Sequence, residues 1–381
     1  MKKTILHFIY NLGRGGAEMM MVKVIRELRD YNNIVVTLTP ENHFGDELKC
    51  DKYFCLNLKS ILFFPQAALQ LNRIIRDNKV DLVHSHLFWP TVVARMGTPR
   101  NVPLVTTIHA FIATSVEYRN FHIRLLDKLT YRLRKSAIIA VAKGALNEYF
   151  TFLKLKPYKA YSLYTFVDGN EFNESFGLAR KRNQNGIRLV TVGALRLQKN
   201  HEYLLKAFKL LRTLDITLDI YGTGPLKADL QKVITDEKLK INLKGEVRNI
   251  NQILSSYDLF IMSSTFEGFS LSVLEAMAMN VPLLLSDIKS FHEQCEDTAA
   301  YFDLNDEQDF VLKLNHLLSN KAILKSKAER AKIRVAENFT LIKHMQGLRK
   351  IYSELIPREV FISLPGYHST ESFSDSANYS R

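Results

Sequence analysis

Residues 263–282 read SSTFEGFSLSVLEAMAMNVP and follow an apolar stretch of strand length, Leu259–Met262. Strand, glycine-bearing loop, then helix is the physical reading. Gly268 allows the tight turn, and the backbone amides of Phe269, Ser270 and Leu271 open a helix whose free N–H groups and dipole favour an anion such as a diphosphate. Glu267 stands on the loop and Glu275 about two turns into the helix. Carboxylates at those places can hold sugar hydroxyls on one side of a diphosphate and ribose hydroxyls on the other. Two arbitrary glutamates there would instead be a dipole partner and a solvated helical residue.

Working outward, strand-length apolar runs alternate with helix-period segments on both sides. The rear series is Ile187–Gly193, Ile216–Tyr221, Ile241–Leu243, Leu259–Met262, Pro282–Leu285 and Ala300–Phe302; the front series is Thr4–Tyr10, Ile34–Leu38, Asp81–His84, Leu104–Ile108 and Ala137–Val141. Each half therefore reads as a doubly wound parallel α/β sheet. The polar stretch ARKRNQNG near 180–186 marks the linker. The organisation expected is a front domain over 1–170, a rear domain over 171–340, a closing helix over 341–357 that crosses back to the front domain, and a disordered tail over 358–381.

The chain of 381 residues is 46% hydrophobic and 24% charged, which fits two globular domains rather than a disordered or fibrous protein. Its three cysteines, Cys50, Cys55 and Cys295, have neither zinc-ligand nor C-x-x-C spacing, so a reducing cytoplasm is expected. The start, MKKTILHFIY, resembles a leader but is interrupted by His7 and reads as a first strand. The charge of +13 is uneven: residues 1–170 carry 24 Lys and Arg against 13 Asp and Glu. The front half should therefore meet an anionic partner, such as acidic lipid headgroups, or be merely solubilised by its charge.

The 263–282 segment resembles the E-x7-E signature of retaining glycosyltransferases of family 4, including the E-G-F-S and E-A-M-A flanks, and the resemblance extends over residues 1 to about 355. It implies the GT-B fold, two Rossmann-like domains facing across a cleft, with the acceptor mainly on the first and a nucleotide sugar mainly on the second. It also implies that Glu275 binds the donor ribose and that Glu267 contacts the transferred sugar near its reacting carbon.

In RLVTVGALRLQKNHEYLLKAF, Arg196 and Lys199 lie at the carboxyl edge of a strand, where two cations can neutralise a departing diphosphate. An arbitrary pair there would be solvated surface. The family arginine is replaced by Ala194; Lys199 matches the family lysine, and Arg196 is a candidate replacement. In IYGTGPLKADL, Gly222 and Gly224 follow a strand but lack the third glycine of a dinucleotide fingerprint, and the resemblance places this G-x-G-P element near the nucleotide. It places LKGEVRNI, with Val247 and Arg248, near the base; an ordinary strand-to-helix turn is the alternative.

In NLGRGGAEMMMVKVIREL, Gly15 and Gly16 let the backbone approach a ligand, and the resemblance sets this loop at the cleft near the donor phosphates. His84, His86 and His109 each sit at or beyond a strand end. They lack a carboxylate partner or helical spacing for a metal, and no D-x-D triplet occurs, so no metal or other cofactor is expected. The resemblance puts His109 beside the transferring sugar; His84 reads as structural, and His86 as acceptor side or structural. Along Tyr118–Ser136, Tyr118, Phe121, Leu125, Leu129 and Leu133 form a helical stripe expected to face the core, with basic residues elsewhere able to rest on anionic lipid.

The resemblance thus implies a retaining, metal-independent transfer from a UDP- or GDP-sugar to a saccharide acceptor, lipid-linked in surface polysaccharide synthesis, on the cytoplasmic side. No nucleic-acid partner is expected, since stacking aromatics do not interleave the basic residues. The rivals are a nucleotide-sugar epimerase of the same architecture and a non-catalytic polyanion-binding module.

Overall fold

A computed structural model describes residues 2–113, 115, 117–169, 186–247 and 249–357. In the front part, β1 (Thr4–Ile9), α1 (Gly16–Glu27), β2 (Asn32–Thr37), β3 (Lys52–Cys55), α2 (Phe64–Asp77), β4 (Leu82–His86), α3 (Phe88–Gly97), β5 (Leu104–Ile108), α4 (Phe121–Leu133), β6 (Ala137–Ala140), α5 (Lys143–Leu153) and β7 (Ala160–Ser162) follow in turn. The strands form one parallel sheet in the order β3-β2-β1-β4-β5-β6-β7. β1, β4, β5 and β6 are buried along their whole length. This is what near-continuous apolar strands covered on both faces require. The edge strands β3 and β7 are half-exposed, and their mixed polar sequences carry no such run.

The rear part repeats the plan. β8 (Ile187–Val192), α6 (His201–Leu210), β9 (Ile216–Tyr221), α7 (Lys227–Asp236), β10 (Ile241–Gly245), α8 (Ile250–Leu254), β11 (Leu259–Met262), α9 (Leu271–Ala278), β12 (Leu283–Ser286), α10 (Lys289–Cys295), β13 (Ala300–Phe302) and α11 (Glu307–Ser319) build a six-stranded parallel sheet ordered β10-β9-β8-β11-β12-β13. In both sheets the strand order reverses beside the first strand, between β1 and β4 and between β8 and β11. Crevices open at the carboxyl ends of such strands, so each half offers its ligand-binding edge there. A shared apolar cluster, including Phe111 and Tyr149 from the front and Phe269 and Phe291 from the rear, joins the halves.

α12 (Lys321–Asn338) lies against α9, and α13 (Leu341–Leu355) returns to the front sheet. Leu348, Ile351 and Tyr352 pack with Ile5, Val24 and Leu82, and Arg349 pairs with Asp30 at 3.0 Å. The Tyr352 hydroxyl is 2.7 Å from His84 Nδ1. No helix among the described residues is long and apolar enough to cross a membrane. Most of the expected linker and the whole tail fall in 170–185 and 358–381, outside the described residues.

One expectation is corrected. The apolar stripe of α4 does not face the core: Phe121, Leu125, Leu129 and Leu133 are exposed, while Asp127, Thr130 and Tyr131 are buried. The cause is a buried ion pair. Arg95 of α3 donates to Asp127 Oδ1 at 2.5 Å and to Thr130 Oγ1 at 3.2 Å, while Tyr118 and Tyr149 donate to the same carboxylate at 2.6 and 3.0 Å. Taking one partner of such a pair away costs about 3–5 kcal/mol, so the polar face is held inward and the leucines turn out.

Candidate active site

The carboxyl ends of β1, β5, β8 and β11 converge on one place. After β11, Ser263 Oγ donates to the carbonyls of Lys199 and Asn200 at 3.1 and 2.9 Å, tying the loop that follows β8 to the loop that leads into α9. Asn200 takes a left-handed conformation (φ 50°) that ends the short 3-10 turn Leu197–Lys199 and starts α6. The Lys199 ammonium then donates to Glu267 Oε1 at 2.6 Å, and Ser264 Oγ donates to the same oxygen at 2.7 Å. Glu267 is 7% exposed, so its charge is satisfied from within the protein.

Gly268 explains why glycine stands next: a Cβ there would overlap the His109 carbonyl oxygen. The loop carrying Glu267 therefore touches the end of β5 from the opposite half, and only glycine permits that approach. Similarly, a Cβ on Gly16 would lie 3.4 Å from Leu271 at the start of α9. Glu275, half-buried on α9, lines a small cavity with Met19, Met20 and Lys23 of α1. Glu267 and Glu275 thus both face the junction between the halves.

Arg196 is exposed and near enough to Glu18 for its charge to act on that carboxyl. Burial raises the Glu18 carboxyl above its ordinary range, with Arg196 pulling the other way. Arg196 therefore faces the front glycine loop around Gly15, whose Cβ position is already occupied by the Glu18 carboxylate. That is where an anion between the two loops would lie.

His109 is half-buried, and its Nε2 is 3.2 Å from Nδ1 of the buried His86. Burial lowers His109 to about 4, with His344 adding to the effect, and drives His84 and His86 well below their ordinary value. These rings are neutral at pH 7. Among the described residues, the one group of potential metal ligands is His7, His84 and His86, in the front core. Both ring nitrogens of His84 are engaged, with Tyr352 and with Thr107 Oγ1, each at 2.7 Å. The His84 and His86 rings stack with centroids 4.2 Å apart, while His7 Nδ1 and His86 Nε2 are buried with no hydrogen-bond partner among the described residues.

Several expected donor contacts change character. The Ser270 amide is not free for an anion, because it donates to Gln294 Oε1 at 3.0 Å while Gln294 Nε2 returns a bond to the Ser270 carbonyl at 2.8 Å. Phe269 turns its ring inward against Tyr164 and Phe339, 5.1 and 5.0 Å away, so only its backbone is available. Gly222 (φ 143°) and Gly224 are glycines because side chains there would meet the backbone of Gly193 and Leu195. They pack the β9 turn onto the Lys199 loop. Leu271 heads α9 behind Ser270, whose side chain does not cap the helix amides but lies 3.2 Å from the Ser272 hydroxyl. Val247 is exposed beyond β10, and Arg248 lies outside the described residues.

Sequence reading missed Ser264, Gln294 and Glu293. Glu293 of α10 accepts from the amides of Lys143 and Gly144 at 2.6 and 2.8 Å and from Tyr164 at 3.1 Å, capping α5 from the opposite half. The partners of Gln294 and Glu293 lie 24 and up to 150 residues away and leave no local pattern to read, whereas Ser264 stands three residues before Glu267.

Comparison with known proteins gives a consistent picture. Residues 14–171 match the family described as Glycosyltransferase Family 4, and residues 186–320 match Glycosyl transferases group 1. A Campylobacter jejuni protein, an N-acetylgalactosamine-N,N'-diacetylbacillosaminyl-diphospho-undecaprenol 4-alpha-N-acetylgalactosaminyltransferase, is 26% identical over 88% of this chain and 95% of its own. The Escherichia coli UDP-Gal:alpha-D-GlcNAc-diphosphoundecaprenol alpha-1,3-galactosyltransferase is 24% identical over 79% of this chain and 82% of its own. Among solved structures, HepE of Anabaena in complex with UDP and glucose superposes with a TM-score of 0.80 at 18% identity, over 93% of this chain and 100% of its own. That likeness establishes the GT-B fold.

Proposed function

Because the chain belongs to glycosyltransferase family 4 and the group 1 glycosyl transferases, we propose that it moves a sugar, with retention of anomeric configuration, from a UDP-sugar to a hydroxyl of a lipid-linked saccharide in surface polysaccharide synthesis. The carrying observation is the Lys199–Glu267 pair beside Gly268, where the rear loop meets His109 of the front half. A cation, a carboxylate and a neutral imidazole come together there from two sheets. The acceptor and its lipid are inferred from the relatives' substrates, and the choice of UDP from the structural neighbour that holds it.

In the transfer, the bond between the anomeric carbon and the diphosphate oxygen breaks, and its electron pair leaves with the phosphate. The acceptor oxygen bonds to the same face of that carbon, and its proton passes to the departing phosphate oxygen. Lys199, Arg196 and the start of α9 bear the developing negative charge, so this scheme requires no divalent ion. Neutral His109 is suited to hydrogen-bonding a sugar hydroxyl without adding charge. Glu267 holds the sugar and Glu275 the ribose. A lipid-linked acceptor, as in the relatives, together with a nucleotide-sugar donor supports action at the cytoplasmic face of a membrane.

A panel of UDP- and GDP-sugars tested for protection against thermal unfolding identifies the donor. NMR of the product then reads its configuration: an α-linked product from an α-donor is expected, and inversion overturns the reading. Conversion of donor to its epimer without acceptor would establish the epimerase instead.

A further inference from the structure

Helix α4 is inside out. The side that packs on the front domain carries the half-buried Ile123 and Leu126 beside the buried Asp127, Thr130 and Tyr131, and the side that meets solvent carries Phe121, Leu125, Leu129 and Leu133 at 61%, 38%, 47% and 78% exposure. Four large apolar residues spaced by four form one ridge about 18 Å long. Leu133 and Met96 of α3, itself 48% exposed, line the same surface pocket, so the ridge continues onto the neighbouring helix. Scattered exposed leucines need no explanation, but a contiguous ridge on a helix whose polar side is locked inward does.

The charge around the ridge selects what covers it. Between residues 117 and 135 the acids are Glu117 and the buried Asp127, against six Lys and Arg. Arg119, Arg132 and Lys135 are exposed, and Arg124 and Lys128 are half-exposed beside the ridge. An apolar strip flanked by cations suits the boundary of an anionic bilayer, where side chains enter the acyl region and ammonium and guanidinium groups meet headgroup phosphates.

We propose that α4 and the adjoining end of α3 dock this protein on an anionic membrane, with Phe121, Leu125, Leu129 and Leu133 inserted and the Arg95–Asp127 pair holding the helix in the orientation that presents them. Tyr118 and Asp127, at the base of this segment, line the same cavity of about 90 Å³ as His109. Docking on this face therefore sets the lipid surface on the far side of α4 from the reacting centre. That last step rests on the glycosyl-transfer reading; the docking itself does not.

Full-length protein is sedimented with vesicles of phosphatidylcholine plus phosphatidylglycerol and with vesicles of phosphatidylcholine alone. Binding to the anionic vesicles, weakened by salt, is expected. Leu129→Glu with Leu133→Glu should lower the partition coefficient by about tenfold or more, while thermal unfolding and transfer to a water-soluble acceptor analogue stay as in the parent. Phe121→Ser, at the other end of the ridge, should weaken binding in the same direction. The proposal is overturned if the double variant binds anionic vesicles like the parent, or if the parent ignores them. It is also overturned if light scattering shows a parent dimer that the double variant splits, since the ridge would then be an interface between two copies. Loss of transfer to the soluble analogue by the parent itself would count against the enzymatic reading and leave the docking result standing.

Discussion

Replacing Lys199 by Met separates two roles that the structure gives one side chain. Its ammonium neutralises Glu267 at 2.6 Å, with side-chain exposures of 17% and 9% for the two partners. Removing one member of a buried pair typically costs about 3–5 kcal/mol, because the other charge is left without a counter-ion. Here Ser264 still donates to the carboxylate, and some solvent reaches the lysine, so a loss near about 3 kcal/mol is expected in urea unfolding. If the lysine also stabilises the departing diphosphate, kcat should fall about 10²–10³-fold, the cost of removing one electrostatic donor to a developing charge.

The two effects part company in the double variant Lys199→Met with Glu267→Gln. A neutral amide needs no counter-ion, so most of the lost stability should return while turnover stays low. Donor-dependent sugar release, followed at saturating donor, measures the second effect directly. The reasoning is refuted if Lys199→Met loses stability but keeps kcat within about threefold of the parent, for then the lysine serves only to hold Glu267.

Gly268→Ala should nearly abolish transfer, because its new methyl group meets the His109 carbonyl and backbone cannot yield as a side-chain tip would; retained activity would show that the halves separate during turnover. Arg196→Ala should raise the donor KM about tenfold, the scale of one hydrogen bond to a charged group, and an unchanged KM would leave the phosphates to Lys199 and α9. Acidification should destabilise the fold. His7 and His344 are held near about 4 by burial, below the ordinary 6.5, so the unfolded chain binds more protons than the native one between those values. Their stabilising contribution is full above about pH 6.5 and is lost as pH falls toward 4. Each ring should thus remove about 2 kcal/mol between pH 7 and pH 5, and urea unfolding that is equally stable at both pH values would contradict this.

The central strands were legible because burial on both faces leaves mostly apolar residues to read: Leu104–Ile108, Ile216–Tyr221 and Leu259–Met262 begin and end where expected. Lys52–Cys55 and Ala160–Ser162 were not, since an edge strand with a solvated side has no such pattern. The family resemblance led to the GT-B fold and the glycosyltransferase class, but no periodicity could show that Gln294 takes the Ser270 amide. For α4 the failure has a specific cause. Counting hydrophobic spacing assumes that the apolar side of a helix goes inward, and one aspartate opposite one buried arginine reverses it.

That reversal and the Lys199–Glu267 pair rest on the same physics with opposite outcomes. The Asp127 carboxylate is held by three donors, from Arg95, Tyr118 and Tyr149, and no ligand could compete for it without unpairing a charge in the core. Glu267 is held by one lysine and one serine at the meeting point of two sheets, and a diphosphate carrying more charge than a carboxylate can draw that lysine away. The freed carboxylate then needs new donors, and sugar hydroxyls delivered on the same ligand supply them. A donor substrate satisfies both halves of the broken pair at once, whereas free phosphate satisfies only the lysine. Free phosphate should therefore bind far more weakly than the nucleotide sugar, by more than the loss of its base and ribose contacts explains.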